Sequence, residues 1–236
     1  MNKLRVFTWV LLILVSNPDR LVRASDTVPG EHEIRNIGIL IFDDVDLLDV
    51  AGPYEVFSLT RLQAGIQSRF STETAPFRVF TVAETANPVR TEGGLSINPE
   101  YTFSDVPDLD LLIVPGGPGA RNLIKHEHSP VLNWIGMQAN SQTELASVCT
   151  GALLLAKTGI LAKRRATTHW GALDILGMLD DSIKVEKDVR YVDDGVVTSA
   201  GVSSGIYMSL YIVEKLLGKA VATDTARLMD YDYRSE

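Results

Sequence analysis

Cysteine is almost absent from this chain. Its 236 residues include one cysteine, four histidines and three tryptophans. A single cysteine cannot close an internal disulfide in any compartment, so stability has to come from a packed core. The thiol, Cys149, is then either a small buried filler or kept for its reactivity. Positive charge is also scarce: 22 Lys and Arg stand against 30 Asp and Glu, a net charge of −8. Such a surface repels phosphate backbones, which argues against a nucleic-acid partner. No apolar run reaches the ~20 residues that a membrane-spanning helix needs. Asn-x-Ser/Thr sequons, internal repeats and low-complexity tracts are missing. So are the GxGxxG and GK[ST] phosphate-binding patterns. His126 and His128 have no third ligand to complete a metal site and read as a solvated helix end, so neither a metal nor a cofactor is implied. Trp134 and Trp170 read as core or interface aromatics.

The N-terminus has the parts of a secretory signal peptide over residues 1–24. Lys3 and Arg5 form the basic start, Val6 to Val15 the short apolar centre, and Val22 and Ala24 suit cleavage after Ala24. Cleavage would remove Lys3, Arg5, Arg20, Arg23 and Asp19 and take the net charge from −8 to −11. The mature protein is then expected in the periplasm or outside the cell, with no stable membrane insertion. A non-functional leader would leave it cytoplasmic. Residues 25–35 read as a flexible lead-in, and 36–232 as a single α/β domain of ordinary size.

Within that domain, strand and helix patterns alternate. Continuous apolar runs at Asn36–Phe42 and Asp110–Val114 suit strands covered on both faces. Phe77–Val82 and Glu144–Val148 complete the strong strand signals. Helices are expected at about Val50–Gln63, Asn122–Asn140 with a break near Ser129-Pro130, Thr150–Lys157, Gly171–Leu179, Gly205–Leu217 and Lys219–Asp230. Pro53 is expected in the first turn of its helix, where a missing N–H costs nothing. Asp193-Asp194-Gly195 supplies a hairpin turn. The alternation predicts a three-layer, flavodoxin-like α/β sandwich, a mostly parallel sheet with helices on both faces. In such sheets ligands sit beyond the carboxyl ends of the strands.

Cys149 lies at that edge, where the run Glu144–Val148 stops and a helix begins. This is a nucleophile elbow, and a helix N-terminus there favours thiolate over thiol. Two loops accompany it. Asp49 stands just before the expected first helix, as an N-cap or as a proton donor and acceptor for the thiol. Burial beside a thiolate would raise its pKa, as a general acid requires. Gly116 and Gly117, in Pro115-Gly116-Gly117-Pro118-Gly119, allow close backbone approach and offer N–H groups to a substrate or to a developing negative charge. The Thr150 hydroxyl suits a hydrogen bond to substrate or water, or a helix cap.

Four segments carry a resemblance: Ile39–Phe42 through Leu48-Asp49-Val50-Ala51-Gly52-Pro53-Tyr54-Glu55, Leu112–Gly117, Ser147-Val148-Cys149-Thr150-Gly151, and Arg165-Ala166-Thr167-Thr168-His169-Trp170. Together, in this order, they resemble the ThiJ/PfpI family within the class I glutamine-amidotransferase-like fold. The Cys-Thr pair and the Ala-Thr-Thr-His-Trp segment look most like its isonitrile hydratase branch. PfpI-type peptidases and many glyoxalase-like members carry His directly after the nucleophile. Here Thr150 takes that place, against a peptidase. The resemblance implies Cys149 as nucleophile, Asp49 as the acid on the thiol, Thr150 beside it, Gly116 and Gly117 as backbone donors, and Thr168 and His169 as supporting residues around the site. It also implies a homodimer acting on a small electrophilic molecule, an isonitrile hydrated to an N-substituted formamide. Two alternatives keep Cys149: glyoxalase-like hydration of small α-oxoaldehydes, and a redox- or ligand-sensing module. The domain is also similar to the sensor half of AraC-type regulators, which would need a basic helix-turn-helix in addition.

Overall fold

A computed structural model describes residues 33–126 and 128–234. The expected leader and residues 25–32 of the lead-in lie outside them. β1 (Arg35–Leu40) opens the described fold, so the last lead-in residue is already strand. It is followed by α1 (Leu47–Leu59), β2 (Phe77–Ala83), and the short strands β3 (Val89–Arg90), β4 (Ser96–Ile97) and β5 (Tyr101–Thr102). Next come β6 (Leu111–Val114), α2 (Pro118–Leu123), α3 (Pro130–Ala139), β7 (Glu144–Val148) and α4 (Gly151–Lys157). β8 (Arg165–Ala166), α5 (Leu173–Leu179), β9 (Lys184–Val185), β10 (Tyr191–Asp193), β11 (Val197–Ser199), α6 (Ser204–Leu217) and α7 (Lys219–Leu228) complete it.

Seven strands form the main sheet in the order β10-β11-β7-β6-β1-β2-β5. Every neighbouring pair is parallel except β10 with β11, the hairpin around Asp193–Gly195. α1, α6 and α7 pack against one another, while α4 packs against α2, α3 and α5. The two groups cover opposite faces, and the architecture is the expected α/β sandwich. All four residues of β6 are buried, which is what a central parallel strand covered on both faces requires. Trp134 is buried and stacks on Phe103 at 4.4 Å. Trp170, by contrast, is 80% exposed. A buried Cβ on Gly52 would lie 2.9 Å from Ile206 Cγ1, so this glycine sets how closely α1 and α6 approach.

Two helix expectations are corrected. α1 begins at Leu47, not Val50, because Asp46 is its cap and accepts from the Leu48 N–H at 3.0 Å. Asp49 is therefore inside the first turn. Pro53 stands in the seventh position and not in the first turn. It has no N–H to donate to the Asp49 carbonyl four residues earlier. The break expected near Ser129-Pro130 is present, with α3 starting at Pro130, but the helix before it is Pro118–Leu123 and not a run beginning at Asn122. Proline supplies the first residue in both, where its fixed φ suits a helix start.

Candidate active site

Strand register brings the site together. Val114 at the end of β6 pairs with Ser147, and Val148 at the end of β7 pairs with Ser199 at the end of β11. The residues that follow these three ends are Pro115-Gly116-Gly117, Cys149-Thr150 and Ala200-Gly201-Val202. They share one edge, and the first turn of α1 lies against it.

Cys149 adopts φ +56°, a left-handed conformation that is uncommon outside glycine. Its backbone is held on both sides. The N–H donates to the Ser199 carbonyl at 3.1 Å, and the carbonyl accepts from Thr168 Oγ at 2.7 Å. Gly201 completes the clamp, since a Cβ there would fall 2.9 Å from Cys149 Cβ and 3.1 Å from Sγ. This is the elbow expected from the sequence, and Thr168 is one of the groups that hold it. The thiol is nearly buried, with 6% of the residue exposed.

Asp49 is fully buried beside the thiol. Its Oδ2 accepts from the Gly116 N–H at 2.9 Å and its Oδ1 from the Val202 N–H at 3.2 Å. The Cys149 side chain is also hydrogen-bonded to it. Burial pushes the Asp49 pKa up to about 7, with help from the nearby Asp46 charge and against the pull of its hydrogen bonds. Burial and the Asp49 charge push the Cys149 thiol up to about 12, although the Thr150 N–H and hydroxyl both hydrogen-bond to it and pull the other way. The expectation of a thiolate favoured by the helix terminus is therefore overturned. α4 has seven residues, and its local field is weaker than desolvation plus a neighbouring carboxylate. Between pH 7 and 12 the pair holds one proton. It titrates as a unit.

The glycine turn differs from expectation too. The Gly116 N–H is taken by Asp49, and the Gly117 N–H donates to Thr150 Oγ at 2.9 Å. The Thr150 hydroxyl faces the Gly117 carbonyl in return, at 3.2 Å. Neither glycine N–H faces a substrate. They orient Asp49 and Thr150, and Thr150 does not cap α4 with its side chain. A Cβ at Gly116 would come 2.5 Å from Thr150 N, 2.6 Å from its Oγ and 3.0 Å from Asp49 Oδ2. Gly116→Ala is expected to destabilise the fold by about 1–3 kcal/mol, the cost of overpacking. A denaturant midpoint measured with an unchanged m-value checks it.

His169 stands apart from this network. Its Nδ1 accepts from the Gly171 N–H at 3.2 Å, and its ring lies 5.2 Å from that of Trp170. Its hydrogen bond serves a turn, not the thiol. Ser199, Gly201 and Val202 escaped the sequence reading. The available signal was a small-residue run, Ser199-Ala200-Gly201, at the end of a strand. Only the β7–β11 pairing turns that run toward Cys149. Val202 adopts φ +44°, unfavourable for a β-branched residue. The strain aims its N–H at Asp49.

Residues 35–215 match the model of the DJ-1/PfpI family. The chain is similar to isonitrile hydratase of Pseudomonas putida, 36% identical over 194 residues that cover 82% of this chain and 75% of that protein. It is also similar to glutathione-independent glyoxalase DJR-1.2 of Caenorhabditis elegans, 31% identical over 60% of this chain and 74% of that protein. It spans about half the length (53%) of an HTH-type transcriptional regulator that it also matches. Among solved structures, a THiJ/PfpI family protein from Pseudomonas syringae superposes with a TM-score of 0.73 at 26% identity, over 93% of this chain and 84% of that one. The strand-to-helix elbow at Cys149, the parallel sheet and these matches agree: the chain belongs to the DJ-1/PfpI family.

Proposed function

We propose that this protein is an enzyme, a hydratase that converts small isonitriles to N-substituted formamides through Cys149 without a cofactor. The observation that carries the reading is the occupied state of the glycine donors. Attack on a carbonyl puts negative charge on oxygen and needs donors aimed at it, but the N–H groups of Gly116 and Gly117 serve Asp49 and Thr150. Attack on an isonitrile puts the charge on the terminal carbon, where a proton quenches it directly. Asp49 beside the thiol, with its pKa near 7, suits that delivery. A terminal carbon also needs little room, which suits a thiol only 6% exposed.

The proton count follows from the shared proton. As Sγ bonds to the isonitrile carbon, the proton of the Cys149–Asp49 pair passes through Asp49 to that carbon. The carbon–nitrogen triple bond becomes a double bond in a thioimidate. Asp49, now a carboxylate, takes a proton from water as the hydroxide adds to the same carbon, and passes it to the nitrogen. Collapse forms the carbonyl and breaks the C–S bond. The hydroxyl proton returns to the pair, and the formamide leaves. The Thr150 N–H donates to sulfur throughout and steadies its charge as the bond breaks. In this reading the protein works as an exported homodimer. A side-by-side assay with a small alkyl isonitrile and methylglyoxal tests the chemistry. Formamide should appear in the first, and no lactate above background in the second. The reverse pattern would assign the site to glyoxalase-like chemistry.

A further inference from the structure

A cleft of about 520 Å³ lies where the chain passes from α2 to α3 and includes none of Cys149, Asp49 and Thr150. Ser129 is the anomaly in its lining. The residue is only 4% exposed, and among the described residues its Oγ has no hydrogen-bond partner. Ser129 is also the residue before the first turn of α3, in the extended conformation of a helix cap. A capping serine ordinarily accepts from an N–H of that turn. This one does not. A buried hydroxyl left unpaired is unfavourable, so its persistence points to a group that pairs with it.

The surroundings of that hydroxyl suit an anion. α3 runs ten residues, and its N-terminal end is the positive end of the helix. Pro130 has no N–H, and no side chain caps the N–H groups of Val131 and Leu132 that follow. Lys125, His126 and His128 line the cleft and can carry positive charge, against the single carboxylate of Glu84. All three are exposed, and the only bond given to their side chains here is a long one from Lys125 Nζ to Asn122 Oδ1 at 3.3 Å. The imidazoles do not form a metal centre, because among the described residues no three metal-ligating side chains converge. Glu127 lies outside the described residues and is not assigned to the site. The backbone is held in place: the His126 N–H donates to the Leu123 carbonyl, the Ser129 N–H to the His126 carbonyl, and the Asn133 N–H to the Ser129 carbonyl. An unpaired hydroxyl, an uncapped helix end and three basic side chains on one pinned segment form a preorganised donor set for a phosphate group.

We infer that this cleft binds the phosphate group of a small molecule, with Ser129 Oγ and the open end of α3 donating to its oxygens and Lys125, His126 and His128 balancing its charge. The inference does not depend on the hydratase reading. The test titrates the whole protein with inorganic phosphate, against sodium chloride of equal ionic strength. Calorimetry should give a Kd of about a millimolar, and about 20 mM phosphate should raise Tm by about 3 °C or more where chloride does not. Without phosphate, Ser129→Ala should unfold no earlier than wild type, because the hydroxyl it removes caps nothing. With phosphate it should lose most of the rise and bind about tenfold more weakly. A general salt effect would stabilise both proteins equally. The triple variant Lys125→Gln/His126→Gln/His128→Gln, confined to exposed side chains, should also bind about tenfold more weakly. Cys149→Ala should bind unchanged. Phenyl phosphate separates the two sources of the group: tighter binding than inorganic phosphate marks an organic monoester, and equal binding marks the free ion. Destabilisation of phosphate-free Ser129→Ala, an equal rise in both proteins, unchanged affinity in the triple variant, or no binding at about 10 mM would each overturn the inference.

Discussion

Cys149→Ala will abolish isonitrile hydration, with kcat/KM falling by about four orders of magnitude or more. Alanine removes the only atom that can bond to the substrate carbon, and no second cysteine exists to replace it. The variant should fold, because the Cys149 backbone is held by Ser199 and Thr168 and not by its sulfur. Cys149→Ser should be nearly as inactive. A serine hydroxyl ionises far less readily than a thiol, and the pocket already opposes ionisation. Steady-state formamide production by wild type and both variants, with intact mass recorded to trap a thioimidate on wild type alone, is the measurement. Turnover by the alanine variant at a tenth of the wild-type rate would remove the covalent mechanism altogether.

Asp49→Asn should lower kcat/KM by about a hundred- to ten-thousandfold, the range of a lost general acid–base. It should at the same time make Cys149 more reactive toward an alkylating agent. The Asp49 charge raises the thiol pKa, so removing it lowers that pKa and increases the thiolate fraction at pH 8. Activity and alkylation rate are thus expected to move in opposite directions, which a generally damaged site would not produce. The pH profile provides a second check. Below about 7 both groups of the pair are protonated and attack stalls. The rate should climb about tenfold per pH unit up to that point, then stay level while one proton is shared. In Asp49→Asn the inflection near 7 should vanish. Linkage has a definite sign here. The folded pKa of Asp49 lies above its ordinary value of 3.8. The folded state therefore binds extra protons between about 4 and 7, and this group's contribution to stability falls as pH rises through that window. Asp49→Asn should flatten the slope.

The sequence was informative where a local rule had no competitor. Glu144–Val148 reads as a strand ending at a cysteine and is one. The short apolar runs of β1 and β6 read as buried because a parallel strand leaves no polar face. Asp49 was harder. Two acids stand three residues apart in Asp46-Leu47-Leu48-Asp49, and either can cap a helix. The cap went to Asp46, which released Asp49 for the thiol. The glycine turn was found correctly as a turn, but what its N–H groups face depends on residues 33 and 67 positions away in the chain.

By itself, the amino-acid sequence determined the alternation of strands and helices, the edge of the sheet where Cys149, Asp49 and the glycine turn gather, and the identity of the one thiol. Those follow from periodicity, turn residues and composition, which act over a few neighbours. Only the tertiary structure decided the charge state at Cys149. Desolvation and the approach of Asp49 are long-range terms, and they outweigh the local field of a short helix. Packing likewise drew the Gly116 and Gly117 donors inward and brought Gly201 and Val202 against the pair, because neighbouring strands of a parallel sheet meet across distant stretches of chain.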